Sequence, residues 1–417
     1  MNRFPFFSSR SLACLTFSLL FTQLGNPHCV SAQYTLRGFV DSYHAVRAQS
    51  PNDYLSSRNR VRLEMFAENE TGIAFVSMNA MENNVLDSQS GVDLREAYLE
   101  YASDRWDMRI GRQIVVWGKA DGVQITDMVS PMDYTEFLAR DYDDIRIPVN
   151  AFKLRYLREK VTFEGIWLPT FQSAILPEAG NPWAVESDFP ENFEVIDDDP
   201  LEPECTLKSS EIGGKISFYL PGIDLSFSGL YTWDKFPVYH VLEATDSRMR
   251  IRKEYHRLTF IGGAFSIPQN AFVFRGETAF FTGKRIKTDA LPGNLVKRNL
   301  WKWLVGVDWY PGSDWTLSAQ LTDTFILDYD RTMTDDAHTM FSTWNISRKF
   351  LRETVTLSTF AYVGMNHGDL FDRTSMEYAL TDALHFSAGI DWFLGDEGMF
   401  GQYSDNSEFW MKAKYSF

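Results

Sequence analysis

Two sets of charged residues in this sequence could act on ions or polar solutes. Arg58, Arg60 and Arg62 recur at every second position, a spacing that places them on one face of a β-strand. Guanidinium groups in a row bind carboxylate, phosphate or sulfate. The second set consists of acids within one segment, namely Asp121, Asp127, Asp133, Glu136, Asp141, Asp143 and Asp144. Opposite charges that face each other across a narrow passage would sort solutes by charge.

The sequence lacks the motifs of the common hydrolases and metalloenzymes. No G-x-S-x-G or H-E-x-x-H motif occurs, and the histidines after residue 32 are scattered at His44, His240, His256, His338, His367 and His385. His385 and Asp391 lie about 20 Å apart along a strand, so they cannot form a relay with Ser387. We therefore predict no enzyme activity, no catalytic residue, no metal site and no cofactor. Without a C-x-x-C-H motif, no covalent haem is expected.

The first 32 residues have the pattern of a secretory signal peptide. Arg3 and Arg10 precede an apolar run at residues 12–24, and small residues typical of a cleavage site end at Ala32. We therefore predict a mature domain at residues 33–417. Its formal net charge is −18, compared with −16 for the whole chain, because the signal segment carries two basic residues and no acid. A protein this acidic is not expected to bind nucleic acid.

From residue 33 onward, polar and apolar side chains alternate in runs of about ten residues. Lys153 and Arg155, for example, alternate with Phe152, Leu154 and Tyr156. Successive side chains of a strand point to opposite faces, so each run predicts a strand with one polar and one apolar face. No run reaches the ~18 apolar residues of a membrane-spanning helix. We predict eighteen strands, at residues 34–46, 57–68, 72–82, 92–102, 105–115, 148–158, 161–169, 210–220, 223–233, 254–266, 271–282, 299–310, 314–325, 338–349, 353–364, 373–380, 384–393 and 407–417.

The connectors between these predicted strands alternate strictly between short and long. Residues 221–222 are a short connector, whereas residues 116–147 and 170–209 are long ones. Barrels of the bacterial outer membrane have short periplasmic turns, long external loops and an even number of strands. The aromatic end of the chain at Phe417 resembles the signal by which barrel-insertion machinery recognises such proteins. We predict an all-β fold, a transmembrane antiparallel up-and-down β-barrel.

One connector resembles a known family of channels. The segment from Gly111 to Tyr134 reads G-R-Q-I-V-V-W-G-K-A-D-G-V-Q-I-T-D-M-V-S-P-M-D-Y, and R-I-P-V-N follows at residues 146–150. Both resemble porins and porin-like outer-membrane families. The resemblance implies that residues 116–147 form a constriction loop folded into the barrel. Eighteen strands depart from the sixteen of the general diffusion porins and are closer to substrate-preferring channels.

The resemblance places the acidic set in this constriction loop, opposite basic residues on the barrel wall. The predicted pore-lining basic residues are Arg58, Arg60, Arg62, Arg109, Lys153 and Arg155. Two interpretations remain open: the ion pairs only anchor the loop, or they anchor it and also select solutes by charge. Residues 170–209 are predicted to be a long acidic external loop. Asp197 to Asp199 are consecutive, which does not fit an EF-hand and favours a solvated loop over a Ca²⁺ site.

The hypothesis that best fits these patterns is a channel in the outer membrane of a Gram-negative bacterium. It would allow passive, charge-selective diffusion of small hydrophilic solutes, with anionic or aromatic acids as candidates. The alternative is a barrel that docks or sheathes a partner in lipid export or electron transfer across the outer membrane. Expected partners are membrane lipid, lipopolysaccharide, the insertion machinery and small solutes. The sequence leaves open whether the chain is a monomer or a homotrimer.

Overall fold

The computed structural model describes residues 33–142, 144–184, 194–245, 247–289 and 295–417. The predicted signal peptide, residues 1–32, lies outside the described residues. So do Asp143 of the acidic set and residues 185–193 of the predicted external loop. Within the described ranges, no helix is long and apolar enough to cross a membrane.

The described chain forms a closed barrel of eighteen antiparallel strands. They are β1 (Gln33–Arg47), β2 (Tyr54–Glu68), β3 (Gly72–Asn83), β4 (Gly91–Ala102), β5 (Trp106–Gln113), β6 (Val149–Leu157), β7 (Val161–Leu168), β9 (Glu211–Leu220), β10 (Ile223–Trp233), β13 (Arg257–Gln269), β14 (Phe272–Lys287), β15 (Leu295–Trp309), β16 (Trp315–Ile326), β17 (His338–Phe350), β18 (Val355–Gly364), β19 (Leu370–Ala379), β20 (Leu384–Leu394) and β21 (Glu408–Ser416). Each strand pairs with the next, and β1 closes the barrel on β21 with Phe39 opposite Ser416. Each of these strands overlaps one predicted strand, so the predicted fold class is confirmed.

A second sheet of three strands lies on the long connectors, where the sequence predicts only loops. It contains β8 (Glu194–Leu201), β11 (Val238–Ala244) and β12 (Arg248–Glu254), with β11 antiparallel and β8 parallel to β12. Three consecutive acids, Asp197 to Asp199, break the alternation in β8, and in β12 the alternation of arginines with Met249 and Ile251 covers only five residues. Ion pairs join the two strands, because Arg250 binds Asp198 at 2.7 Å. Part of the predicted solvated acidic loop is therefore a paired strand.

The helical segments of the described chain are short. They are α1 (Gly398–Gly401) and two 3₁₀ turns, Asp87–Gln89 and Ser404–Asn406. All three lie in connectors at the end of the barrel that carries the long loops. They do not span the barrel, and the barrel wall consists of strands.

The two faces of the barrel wall differ in polarity. Asp41 and Arg60 form a buried ion pair on the inner face of β1 and β2. Their neighbours Val40 and Leu63 are each 44 % exposed on the outer face. An apolar exterior suits the hydrocarbon of a membrane, and a sheet that closes on itself leaves no unpaired strand edge in lipid.

The connectors are short at one end of the barrel and longer at the other. The two-residue turn 221–222 places Gly222 at a φ of +81°, a conformation that glycine adopts without strain. The strict alternation in length is wrong at one place, because residues 365–369 at the long-loop end number as many as the turn 310–314. The predicted long connector 283–298 also shortens to residues 288–294, since β14 and β15 extend beyond their predicted ends.

Much of the apolar core lies inside the barrel rather than between two sheets. Trp117, Ile125 and Val129 come from the connector between β5 and β6 and are almost fully buried. They belong to the same cluster as the inward-facing strand residues Phe260 and Leu304. Eighteen strands enclose a lumen too wide to be filled by wall side chains alone. The in-folded connector fills part of that lumen.

Candidate functional site

The connector between β5 and β6, residues 114–148, crosses the lumen, and we call it the lumen loop. It starts and ends on neighbouring strands, because β5 and β6 are paired. It nevertheless contacts β14, β16 and β18, and β18 is nine strands from β6 in a barrel of eighteen. The lumen loop therefore reaches the opposite wall. It contains the whole predicted constriction loop, residues 116–147.

Glu277 of β14 is the main attachment of the lumen loop on that opposite wall. Its carboxylate accepts hydrogen bonds from the backbone N–H groups of Lys119, Ala120 (2.8 Å) and Thr126 (3.0 Å) and from the Thr126 hydroxyl (2.7 Å). The side chain is only 4 % exposed. A buried carboxylate that meets four donors is well compensated and holds the loop by its backbone.

Three further wall residues bind the same part of the lumen loop. Gln320 of β16 accepts a hydrogen bond from the Asp121 N–H and donates one to the Asp121 carbonyl, at 3.3 and 3.0 Å. The Tyr362 hydroxyl of β18 donates to the Gly122 carbonyl at 2.7 Å. Arg275 of β14 binds the Asp121 carboxylate at 2.6 Å. Asp121 is thus paired with Arg275 and lies away from the predicted basic residues.

On the other side of the lumen, two acids of the lumen loop meet the arginines of β2. Glu136 binds Arg58 and accepts a hydrogen bond from the Ser56 hydroxyl. Asp144 bridges two guanidinium groups, since it binds Arg60 and lies 2.8 Å from Arg62. The structure therefore brings these predicted acids and arginines together.

The predicted basic residues of β5 and β6 have a different environment. Arg109 binds Glu100 of β4, and Arg155 binds Asp107 of β5. Lys153 is almost buried beside them. These ion pairs join neighbouring strands of the wall and do not involve the lumen loop.

The remaining described acids of the set shape the loop itself or its rim. Asp127 accepts the Trp117 N–H at 2.9 Å and binds Arg146 at 3.0 Å, which ties the two arms of the loop together. Asp133 binds Arg140 at 2.8 Å within the loop. Asp141 reaches Lys412 of β21 at 2.7 Å.

Two acids of the lumen loop, Asp141 and Asp144, remain ionised well below neutral pH. Burial raises the pKa of Asp144, but Arg60 and Arg62 outweigh burial and hold that pKa far below its ordinary value. The pKa of Asp141 is lowered to about 2, because Lys412 and Arg373 outweigh burial in the same way. The charges of both acids are therefore fixed over the physiological pH range.

Part of the predicted external loop folds onto the lumen loop. Ile175 forms a parallel bridge with Asp133, and the Asn181 side chain donates to the Thr135 carbonyl at 2.9 Å. Trp183 is fully buried, with its ring 5.5 Å from that of Phe393. Residues 170–184 thus contact the lumen loop and the barrel wall, and the predicted external position of the segment stays a prediction.

The lumen loop separates two water-accessible cavities. The first, of about 400 Å³, lies toward β2 to β5. Its described charged lining residues are Arg60, Arg95, Arg112, Arg140, Arg146, Asp93, Asp133 and Asp144. The second, of about 480 Å³, lies toward β18 and β19. Its described charged lining residues are Lys119, Arg140, Arg146, Arg373, Asp121 and Asp141. Among the described lining residues, basic groups outnumber carboxylates by five to three in the first cavity and by four to two in the second.

Several important wall residues were beyond sequence reasoning. Glu277, Gln320 and Tyr362 lie on strands far from the loop in sequence, and Arg373 lines the second cavity. Their one sequence signal is the polar position on an alternating strand, which dozens of other residues share. Contact across a lumen cannot be read from that signal.

A comparison with protein families matches residues 46–417 to the family described as "Protein of unknown function (DUF1302)". The match begins near the end of β1 and includes the lumen loop and the strands that hold it. The chain belongs to this family. A comparison with curated proteins gives no match for this DUF1302 chain.

Solved structures with a similar fold share little sequence with the chain. OccK11 (OpdR) of Pseudomonas aeruginosa is 9 % identical, with 92 % of this chain and 96 % of that chain covered and a TM-score of 0.53. OccAB3 of Acinetobacter baumannii is 10 % identical, with 92 % and 99 % covered and a TM-score of 0.53. OccK5 (OpdH) of Pseudomonas aeruginosa is 9 % identical, with 93 % and 98 % covered and a TM-score of 0.52. The DUF1302 chain therefore shares a porin-like barrel fold with them.

Proposed function

We propose that this DUF1302 chain is a channel of the Gram-negative outer membrane through which small anionic solutes diffuse passively. The lumen loop would form the constriction, and the basic groups beside it would favour anions. The channel part of this proposal is supported by the porin-like barrel, and the anion preference by the two cavities.

The observation that carries the anion preference is the excess of basic groups around the lumen loop. The whole chain has a formal net charge of −16, yet the described linings of both cavities contain more basic than acidic residues. One net charge at about 5 Å is worth about 3 kcal/mol at an effective dielectric constant of about 20, before salt screening. That is enough to favour anions over cations in a narrow passage.

The second cavity suggests the class of anion. Phe360, Tyr362 and Phe371 line it beside the cations of Lys119 and Arg373. Aromatic rings contact a flat apolar body, and a guanidinium or ammonium group binds a carboxylate. An aromatic carboxylate therefore fits this lining better than a neutral sugar does.

A route from the mouth to the first cavity supports passage rather than a closed plug. A mouth cavity of about 580 Å³ lies beside residues 84–89 and 176–181. It shares Ser88, Gln89 and Ile175 with the first cavity. Solutes that enter at the long-loop end would therefore meet the basic lining of the first cavity next.

The other interpretations receive less support. The compared structures give no support to a barrel that docks or sheathes a partner. We propose no enzymatic role, since the Nδ1 of His385 contacts Glu377 and Asp391 binds the indole N–H of Trp410.

Planar-bilayer recording and liposome swelling test the proposal together. Purified mature protein should give stable, ohmic conductance that scales with salt. Proteoliposomes should swell faster with benzoate than with a neutral sugar or a cationic amino acid of similar size. A barrel that stays closed in all conditions would contradict the channel.

A matched pair of lysine variants tests the second cavity. Lys119→Gln removes a cation from the cavity lining and should slow benzoate entry, whereas Lys160→Gln removes one from a short turn and should not. If the two variants behave alike, the assignment of benzoate to this cavity is wrong.

A further inference from the structure

Three potential metal ligands converge at the long-loop end of the barrel. They are His240 of β11, Glu254 at the end of β12 and His256 just before β13, and their donor atoms all lie within 4.8 Å of one another. The Nε2 of His240 lies 3.3 Å from the Nε2 of His256 and 3.3 Å from the Oε2 of Glu254.

The hairpin of β11 and β12 brings these residues together. Val238 pairs with Glu254 and His240 pairs with Arg252, so His240 and Glu254 are diagonal neighbours across the hairpin. The carbonyl of His256 accepts a hydrogen bond from the Asp234 N–H at 2.8 Å, which fixes His256 at the rim of the barrel. The ligands therefore join the base of the hairpin to the barrel wall.

The spacing of the donors matches that of ligands around one tetrahedral ion. With metal–nitrogen distances of about 2.05 Å, two tetrahedral ligands lie about 3.3 Å apart. The Nε2 of His240 lies at this separation from both the Nε2 of His256 and the Oε2 of Glu254. Two imidazole nitrogens that face each other so closely need a proton or a metal ion between them, because two lone pairs repel.

Some of the surrounding charges favour a bound cation at these three residues, and others disfavour it. Arg252 binds the Oε1 of Glu254 at 3.0 Å, which leaves Oε2 directed at His240. Arg285 also lies close to His256, and its positive charge disfavours a second cation there. Asp234 also faces His256 and partly offsets the two arginines.

We propose that His240, Glu254 and His256 bind one divalent transition-metal ion, with Zn²⁺ as the reference ion. Two imidazoles and one carboxylate suit Zn²⁺, Cu²⁺ or Ni²⁺, whereas Ca²⁺ and Mg²⁺ prefer oxygen ligands alone. The bound ion links the β11–β12 hairpin, and with it the three-stranded sheet, to the rim of the barrel. A fourth position stays open for water. This site does not depend on the proposed channel.

Calorimetric titration of the chelator-treated mature protein with Zn²⁺ tests the site. We expect one ion per chain at pH 7.5, and weaker binding as the pH falls, because protons compete with the ion for the imidazole nitrogens. His240→Ala and His256→Ala should each weaken binding at least tenfold. His385→Ala, a histidine with one carboxylate partner at the short-turn end, should bind as the wild type does.

A second measurement uses the unmodified chain in case a variant does not fold. Diethylpyrocarbonate labels accessible imidazoles, and mass spectrometry locates the label. Zn²⁺ should protect His240 and His256 from the reagent and leave His385 reactive. The proposal is overturned if Zn²⁺ protects neither histidine, or if titration gives a dissociation constant weaker than about 1 mM.

Discussion

The lumen loop is held on its two sides by different chemistry. Toward β2, acidic side chains of the loop meet arginines of the wall, as Glu136 and Asp144 do. Toward β14, β16 and β18, wall side chains mostly bind the backbone of the loop, as Glu277, Gln320 and Tyr362 do. One side is ionic and the other consists largely of hydrogen bonds to peptide groups.

This difference separates two tasks. Contacts to the backbone fix the position of the loop whatever side chains it carries. Contacts between charges depend on particular side chains and weaken with salt in the water-filled part of the lumen. The hydrogen-bonded side of the lumen loop therefore fixes the position of the constriction. The ionic side sets the electric field within the constriction. Each of the following changes tests that division.

The largest effect should come from Glu277→Ala on the hydrogen-bonded side. The change leaves four donors of the lumen loop without their acceptor, at a cost on the order of 4 kcal/mol of loop attachment. Single-channel conductance should rise and become noisy, and a protease should cleave within residues 114–148 of the folded barrel.

Glu100→Ala is the matched control for that change. It removes a carboxylate that pairs with Arg109 on the wall and does not contact the lumen loop. Its conductance and its protease resistance should match those of the wild type. Equal behaviour of the two variants would show that Glu277 does not hold the loop.

Asp144→Asn on the ionic side should displace the lumen loop less than Glu277→Ala does. It should, however, clearly change the electric field in the lumen. Arg60 and Arg62 then lose a shared carboxylate, which costs about 3 kcal/mol when the pair is buried. The reversal potential in a salt gradient should shift toward stronger anion preference. Asp53→Asn, which removes an exposed partner of Arg47, should leave it unchanged.

Gly122→Ala should have a still smaller effect. It should displace the lumen loop and leave the electric field in the lumen unchanged. Gly122 has a φ of +71°, and a Cβ there would lie 2.4 Å from the Tyr362 hydroxyl oxygen. Strain of about 1–2 kcal/mol should move the loop and change conductance without changing selectivity. Gly165→Ala is the control, because nothing lies within 4 Å of its Cβ. A shift in selectivity as large as that of Asp144→Asn would break the division of tasks.

The smallest effect should be that of mild acid. The pKa of Asp141 is lowered to about 2, from an unfolded value of about 3.9. Its contribution to stability is therefore present above pH 4 and is lost only as the pH falls toward 2. Reversal potentials measured at pH 7 and pH 4.5 should agree. A large change between them would show that other acids, with ordinary pKa values, set the field.

The sequence predicts the barrel well because a strand is a local pattern. Alternation with a period of two, as at Lys153 and Arg155, depends only on neighbouring residues, and each barrel strand overlaps a predicted one. The three-stranded sheet was missed because β8 is charged on both faces and the alternation in β12 covers only five residues. Their pairing depends on Arg250 and Asp198, which are far apart in sequence.

The candidate site was predictable only in part. The arginine ladder and the acids of the loop have opposite charges, which is enough to suggest pairs such as Arg58 with Glu136. Opposite charge alone does not reveal that Asp121 binds Arg275, or that Arg109 pairs with Glu100 of the barrel wall. Those outcomes depend on how deep the loop enters the lumen, and that depth is set by Glu277 and other residues of distant strands.

The reversal potential of the wild type and of one double variant tests the central claim most directly. Arg95 and Arg112 line the first cavity, and removing them leaves the Arg58–Glu136 and Arg60–Asp144 pairs in place. The wild type should prefer chloride over potassium, and Arg95→Gln with Arg112→Gln should shift the reversal potential toward potassium. Arg248→Gln with Arg250→Gln, on the three-stranded sheet, should not shift it. A wild type that prefers cations, or a lumen variant that matches this control, would contradict an anion-preferring constriction.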